Sequence, residues 1–505
     1  MNIQMTFFVA LLACPFFALV VNCLAGRKHP MVTAHIASLL IGIGFLTGLI
    51  LLISTPSSTA SSVYWLFGLN TLSLLLCTLI LFVSFVVHRF SIRYMDGDRL
   101  YSRYFFTLAS ITLSATFMVL ADNLVLFWIS WSLSNVFLIL LMVHKSQWSA
   151  AKNSGWLALN TLLPGSLSLL AAFILMAVNT HTLSMQHLLS QSNVIFTPAL
   201  FLALGLIMCT AVTQSALWPF HRWLISSLNS PTPVSALMHA GLVNGGGILI
   251  VKFAPLFAIN KEPLAVLFIL GAVSALLGTI WKLMQTDIKR MLACSTMAQM
   301  GFMMMQCGVG LFAAAIAHLC WHGLFKAYLF LSSGSAVKQK KSEVTPSKAS
   351  PGLLVASLAG GLVAMTAFAF ATNKPVSFFE ASAFVLFFAF IAGAQLMLTW
   401  VRSHQTPLSV LSGLLLTSFS GLLYGGSIHL VELLIPSLLT IQAAQLSLLH
   451  WFVMILFGSL WAIFNLGVHQ TMAKSKFGCW LYITLFNAGQ PSRRTVTALR
   501  NDYNY

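Results

Sequence analysis

The chain has 505 residues, 58% of them hydrophobic and 7% charged, with a mean hydropathy of +0.90. That composition excludes the soluble globular classes, and repeated apolar runs of about 20 residues define a polytopic α-helical membrane protein, not a barrel of short alternating strands. Lys and Arg number 26 against nine Asp and Glu, a formal charge of +17; these basic residues gather between apolar runs, where the positive-inside rule accounts for them without nucleic acid.

In chain order, hydropathy predicts about fifteen spans: 4–24, 32–54, 66–88, 104–121, 123–143, 156–179, 198–218, 233–257, 264–282, 290–308, 312–335, 352–372, 377–401, 407–425 and 449–468. The opening MNIQMTFFVALLAC lacks a basic n-region, so it reads as the first membrane helix and not as a cleaved signal. After the odd-numbered spans come Arg27/Lys28, Arg89/Arg93/Arg99/Arg103, Lys145/Lys152, Arg222, Lys282/Lys289/Arg290, Lys338/Lys340/Lys341/Lys348, Arg402 and a basic tail. The even-numbered loops are nearly free of Lys and Arg. That alternation predicts an external N-terminus and a cytoplasmic C-terminus. One more crossing would put the basic tail outside, so residues 429–445 are expected as a half-helix or interfacial helix.

Breakers cluster around the seventh and eighth spans: Leu217-Trp218-Pro219, then Ser230-Pro231-Thr232-Pro233, then Gly245-Gly246-Gly247. Such helices line transport sites, and they also arise as plain kinks against a neighbour. The eight cysteines show no CxxC pair or metal-ligand spacing and read as buried spectators.

Charged groups in hydrocarbon cost roughly 2.5–3.5 kcal/mol each and mark ion paths. In HLCWHGLFKAYLF, His318, His322 and Lys326 recur at steps of four, which aligns them as a polar stripe about 12 Å long. His239 lies in span 8 and Lys252 near its outer end; Glu380 falls early in span 13; Asp122 falls between spans 4 and 5, where capping of helix 5 is the expected role. A file of imidazoles and an amine can pass a proton stepwise. One histidine alone would read as a hydrogen-bonded bridge between helices; three groups on one stripe favour a path. His318 and His322 also have the spacing of a zinc pair, but no carboxylate or thiolate joins them and Cys320 faces elsewhere.

Three long stretches closely resemble the antiporter-like subunits of respiratory complex I and the Mrp cation/proton antiporters. They are HRFSIRYMDGDRLYSRYFFTLASITLSATFMVLADNLVLFWISW (88–131), WPFHRWLISSLNSPTPVSALMHAG (218–241) and DIKRMLACSTMAQMGFMMMQCGVGLFAAAIAHLCWHGLFKAYLFLSSGS (287–335). The resemblance covers roughly residues 60–340. It implies an all-α fold with two inverted five-helix repeats containing broken helices. The implied divisions are N-terminal helices (1–100), a degenerate first half (101–257), a second half (258–402), C-terminal helices (403–468) and a basic cytoplasmic tail (469–505).

The resemblance further implies that His318, His322 and Lys326 form the axis of the second half-channel, with His239 as the bridging histidine. The family's helix-five glutamate falls at Ser132 and its helix-seven lysine at Gln214, so the charge pair of the first half is replaced. The lysine of the second broken helix has no clean match; Lys374 lies about three positions off. Among relatives, the chain looks most like the membrane subunit (DabB) of two-component inorganic-carbon pumps, which are shorter than the complex I subunit. That likeness implies a proton- or Na+-conducting, non-enzymatic subunit of a bacterial inner membrane. Its partner would be a large carbonic-anhydrase-like zinc subunit (DabA type) on the cytoplasmic side. Zinc would sit in the partner, with no cofactor in this chain. The alternatives are a complex I, membrane hydrogenase or Mrp subunit, and an anchor that has lost conduction. The basic tail reads either as a docking element or as a disordered anchor.

Overall fold

The computed structural model describes residues 3–496, except 56–61, 65, 191–196, 260–261, 339–348, 375–376, 378, 405, 407, 440, 442 and 444. Helices α1 (Ile3–Ala25) and α2 (Pro30–Ser54) pack as a hairpin, and an antiparallel ribbon, β1 (Ser62–Tyr64) with β2 (Phe67–Leu69), leads into α3 (Thr71–Tyr94). There follow α4 (Tyr101–Leu120), α5 (Leu124–Met142), the long α6 (Ser149–Thr180) and the short α7 (Met185–Ser190). A broken region comprises α8 (Pro198–Gln214), α9 (Arg222–Ile225), α10 (Thr232–Ala240) and α11 (Gly245–Lys252). Next come α12 (Ala254–Ile259), α13 (Glu262–Met284), α14 (Ile288–Gly308) and α15 (Phe312–Leu331). Helices α16 (Pro351–Thr372), α17 (Ser382–His404) and α18 (Leu408–Leu434) pack together, followed by α19 (Leu448–Asn465), α20 (Val468–Met472) and α21 (Lys476–Ala488).

Among the described residues, 13 helices are long and apolar enough to cross a membrane, α10 and α11 counting as one. The other two expected spans are met by α8, which has 17 residues, and by α14, whose composition is more polar. Helix α14 tolerates Thr296 and Gln306 because protein, not lipid, surrounds them: both are fully buried.

Caps explain several boundaries. Asn70, Thr197, Asp287 and Ser350 each accept a backbone N–H of the first turn of the helix that follows. The break after Gln214 is a Schellman reversal, with Leu217 N–H donating to the Val212 carbonyl and Ala216 N–H to Thr213. Ala216 takes the left-handed conformation there (φ 52°), a position glycine usually fills. Gly310 (φ 84°) makes the equivalent reversal between α14 and α15, so the two helices run antiparallel and side by side.

Four expectations need correction. Residues 429–445 are not a separate helix: α18 runs on to Leu434, and Pro436 then opens a 3-10 turn because its ring cannot continue the ladder. Helix α17 starts at Ser382, so Glu380 is exposed in the preceding turn and not inside a span. Asp122 does not cap α5; the neighbouring Asn123 does, accepting from Val125 and Leu126. The tail is ordered up to residue 496, with α21 helical; residues 497–505 lie outside the described residues, as do Lys340, Lys341 and Lys348. The segment 489–496, with a 3-10 turn at Arg493–Thr495, lies across the ends of α6, α9 and α13, where Asn153 donates to the Arg494 carbonyl and Asn229 to that of Thr495.

Helices α13 and α14 approach each other closely through glycines. A Cβ at Gly301 would lie 2.5 Å from the Ala275 nitrogen, and one at Gly278 would lie 2.6 Å from the Ala298 nitrogen. Both contacts are backbone, which cannot yield cheaply. Gly301→Ala and Gly278→Ala should each destabilise the purified protein by about 1–3 kcal/mol. Gly205→Ala, in open space on α8, should be neutral or stabilising. Thermal unfolding in detergent compares the three, and equal melting temperatures would contradict the packing argument.

Candidate functional site

The stripe foreseen on α15 meets α10 and α14 in the interior. Lys326 is 1% exposed, and its Nζ donates to the Leu292 carbonyl at 3.1 Å. The same carbonyl accepts from the Thr296 hydroxyl at 3.0 Å, and that hydroxyl lies 3.1 Å from Nδ1 of His239. His239 stacks on Phe330 with ring centroids 4.3 Å apart. One turn back, the His322 ring hydrogen-bonds to the His239 backbone and lies nearly parallel to the His318 ring at 6.1 Å. His318 in turn bonds to the Gln299 backbone and meets the edge of Phe302. Gly323 makes this approach possible, since a Cβ there would lie 2.9 Å from the Ala240 carbonyl.

Lys326, His239, His322 and His318 therefore converge across two helices. The Nε2 atoms of His318 and His322 are buried without a hydrogen-bond partner among the described residues, leaving proton-accepting capacity along the file. Thr296, whose hydroxyl joins the two ends, was not singled out from sequence. No charge marks it, and only the packing of α14 against α10 reveals it.

Ser132 and Gln214 are not brought together. Ser132 pairs with the Ser166 hydroxyl at 2.7 Å, whereas the Gln214 amide donates to Asn135 at 3.0 Å and to the Leu242 carbonyl at 3.2 Å. The first half thus holds a neutral amide pair where a charge pair is expected. Beside it lies a cavity of about 50 Å³ lined by Ser84, Thr112, Ser134, Gln214 and Asn244 among apolar side chains.

Lys252 lies elsewhere, 13 residues beyond His239 and so roughly 20 Å along that helix pair. Its Nζ donates to the Val119 carbonyl at 2.8 Å and to the Ser73 hydroxyl at 3.1 Å. Asp122 shares a cavity of about 530 Å³ with it and accepts from the Ser184 hydroxyl and the Gln186 N–H. Lys374 forms an ion pair with Glu432, a buried carboxylate at the end of α18 that also approaches His429 at 3.9 Å. Sequence reasoning missed Glu432, because it fell in the segment assigned to an interfacial helix. Glu380 is exposed and joins none of these groups.

Outside the membrane helices, Nε2 of His144 donates to Asp98 at 3.2 Å. Burial holds its imidazole below the usual range, with Asp98 partly opposing the shift.

The sequence profile described as NADH:quinone oxidoreductase/Mrp antiporter, TM, matches residues 121–401, and that of NADH-ubiquinone oxidoreductase (complex I), chain 5 N-terminus, matches 57–105. The chain belongs to this family of antiporter-like membrane subunits. It is 38% identical over 343 residues to the probable inorganic carbon transporter subunit DabB of Bacillus subtilis (strain 168), covering 65% of this chain and 66% of that protein. It is 37% identical to DabB1 of Halothiobacillus neapolitanus (54% and 50% covered), and 36% identical to NADH-quinone oxidoreductase subunit L of Escherichia coli K12 (53% and 44% covered). The matches span about half to two thirds of the length of these curated relatives. The fold is shared with the Mrp complex from Dietzia sp. DQ12-45-1b, at a TM-score of 0.63 and 21% identity over 96% of this chain and 59% of that one.

Two measurements test the pairs described above. Lys374→Ala should cost about 1–3 kcal/mol by stranding the Glu432 carboxylate, and the double variant with Glu432→Ala should recover part of it; strictly additive losses would contradict the pairing. Because His144 resists protonation when folded, the unfolded chain takes up the extra proton as pH falls through the ordinary histidine range near 6.5, and stability drops there. His144→Gln should flatten that part of the stability profile, read by denaturation between pH 5 and 8. An unchanged slope would rule His144 out as its source.

Proposed function

We propose that this chain is the ion-conducting membrane subunit of a two-component inorganic-carbon transporter in a bacterial inner membrane. Protons, or less favourably Na+, would move inward along His318, His322, His239 and Lys326. The observation that carries the reading is the continuous contact of these four groups across α10, α14 and α15, joined through Thr296 and the Leu292 carbonyl. Residues 258–402, joined by His239 from α10, then hold the working half-channel. Residues 101–257 hold a half in which Ser132 and Gln214 cannot carry the family's charge pair. Lys252 and Asp122 would serve the opposite mouth, and Lys374 with Glu432 the far end of the second half. The similarity to DabB subunits supports inorganic carbon as the coupled cargo.

In this reading the chain performs no catalysis and binds no cofactor. Hydration of CO2 would belong to a large carbonic-anhydrase-like zinc partner docked on the cytoplasmic side, toward which the basic loops and tail point. The N-terminus would lie outside. The similarity to complex I subunit L supports a second reading, membership of a respiratory or Mrp-type assembly.

Two experiments separate the readings. Tagged chain purified from its own host should bring down a large zinc protein; recovery of iron–sulfur subunits would overturn the first reading in favour of the second. In cells that need bicarbonate accumulation, Lys326→Ala should abolish growth in air and spare growth in elevated CO2. Uptake should fall roughly tenfold or more if the buried amine is the central proton holder. Wild-type growth in air would end the case for conduction.

A further inference from the structure

The first half holds a buried titratable group that the path above does not use. His88, on α3, is 0% exposed. Its Nδ1 lies 2.8 Å from the Ser84 carbonyl and 3.2 Å from the Ser84 hydroxyl, so Nδ1 carries the hydrogen in the neutral ring. Nε2 is then the free acceptor, and it is buried without a partner among the described residues. The Ser84 hydroxyl lies 2.5 Å from that of Thr112 on α4. Both hydroxyls border the cavity of about 50 Å³ beside Gln214.

Three further facts bear on that cavity. At roughly 15 Å³ per water it has room for about three, with five polar side chains to hold them. The Asn244 Oδ1 on its wall and the Asn135 Nδ2 behind Gln214 are both buried without partners among the described residues. The cavity is also walled by Ala240 and Gly241, the residues directly after His239. On the other side of His88, polar groups continue toward the rim: Ser91 bonds to the Tyr104 hydroxyl at 2.9 Å, and Tyr104 meets His144, which bonds to the partly exposed Asp98.

We propose that His88, Ser84 and Thr112 form a proton inlet into a hydrated chamber at Gln214, a neutral substitute for the charge pair that this half lacks. The inference rests on the proton-conducting reading given above. The transfer is concerted and balanced. Nε2 gains one proton as Nδ1 gives its own to the Ser84 hydroxyl oxygen, Ser84 passes its hydroxyl proton to Thr112, and Thr112, turning its hydroxyl away from the Leu108 carbonyl to which it donates at 2.9 Å, releases one to water in the chamber. One proton enters and one leaves, no charge stays on a hydroxyl, and rotation of the His88 ring, which carries its Nε2 proton round to face Ser84, with reorientation of the two hydroxyls resets the relay. The Gln214–Asn135 pair cannot titrate; it orients the chamber water without trapping the proton.

The test uses the full-length chain in proteoliposomes with a clamped potential and an internal pH dye. His88→Ala and Thr112→Val, the latter nearly isosteric, should each slow proton flux by about a hundredfold, the low end of what one positioned proton-transfer group contributes. Added imidazole should restore flux to His88→Ala and not to Thr112→Val, a rescue that a merely structural histidine would not show. Ser110→Ala, on the same helix with its hydroxyl bonded to the Phe106 carbonyl, should match the wild type. Wild-type flux in both His88→Ala and Thr112→Val, alongside a dead Lys326→Ala, would overturn the inlet and leave the central path standing. Full flux in Lys326→Ala would instead overturn the reading beneath it. Loss of flux in His88→Ala without imidazole rescue would assign His88 to packing and overturn the relay.

Discussion

An amine buried among membrane helices must find partners inside the protein, because no water is at hand to solvate it. Lys326 meets that constraint with the Leu292 carbonyl, and among the described residues no carboxylate pairs with it. Such an amine is held by dipoles and not by a counter-charge. The helices around it serve this arrangement. The reversal at Gly310 lays α14 beside α15, the glycines of α13 bring that helix hard against α14, and the break at Ala216 frees α10 to bring His239 against α15.

The two halves of the chain solve the same problem differently. The second half keeps imidazoles and an amine in a contiguous file, where each group can take and release a proton. The first half keeps amides and hydroxyls, Gln214 with Asn135 and Ser132 with Ser166, which bond to one another without titrating. A neutral pair has little desolvation cost and offers a chamber that water can occupy. In the proposed inlet, conduction through it rests on His88 and on water, not on fixed charge.

The other charged groups lie elsewhere. Lys374 with Glu432 and the Lys252–Asp122 neighbourhood lie away from the central file, one at the junction of α16 with α18 and the other beside the ribbon and α7. Both locations border cavities, of about 480 Å³ and 530 Å³, large enough to be hydrated.

Composition and periodicity by themselves determined a good deal. Long apolar runs could only be membrane helices, and the step of four could only place His318, His322 and Lys326 on one face, because both follow from the pitch of the helix and the thickness of the bilayer. Ser132 and Gln214 were readable as uncharged wherever they lay. What the tertiary structure alone decided was which groups meet. Thr296 joins Lys326 to His239 across 30 to 57 residues of chain, and Glu432 finds Lys374 from a segment whose hydropathy suggested a different element. Asn123 takes the cap expected of Asp122, since one residue of register decides which side chain reaches the free N–H groups. Local pattern sets the face a residue occupies, but the partner on the other side of that face is chosen by helix packing, which depends on glycines and reversals far away in the chain.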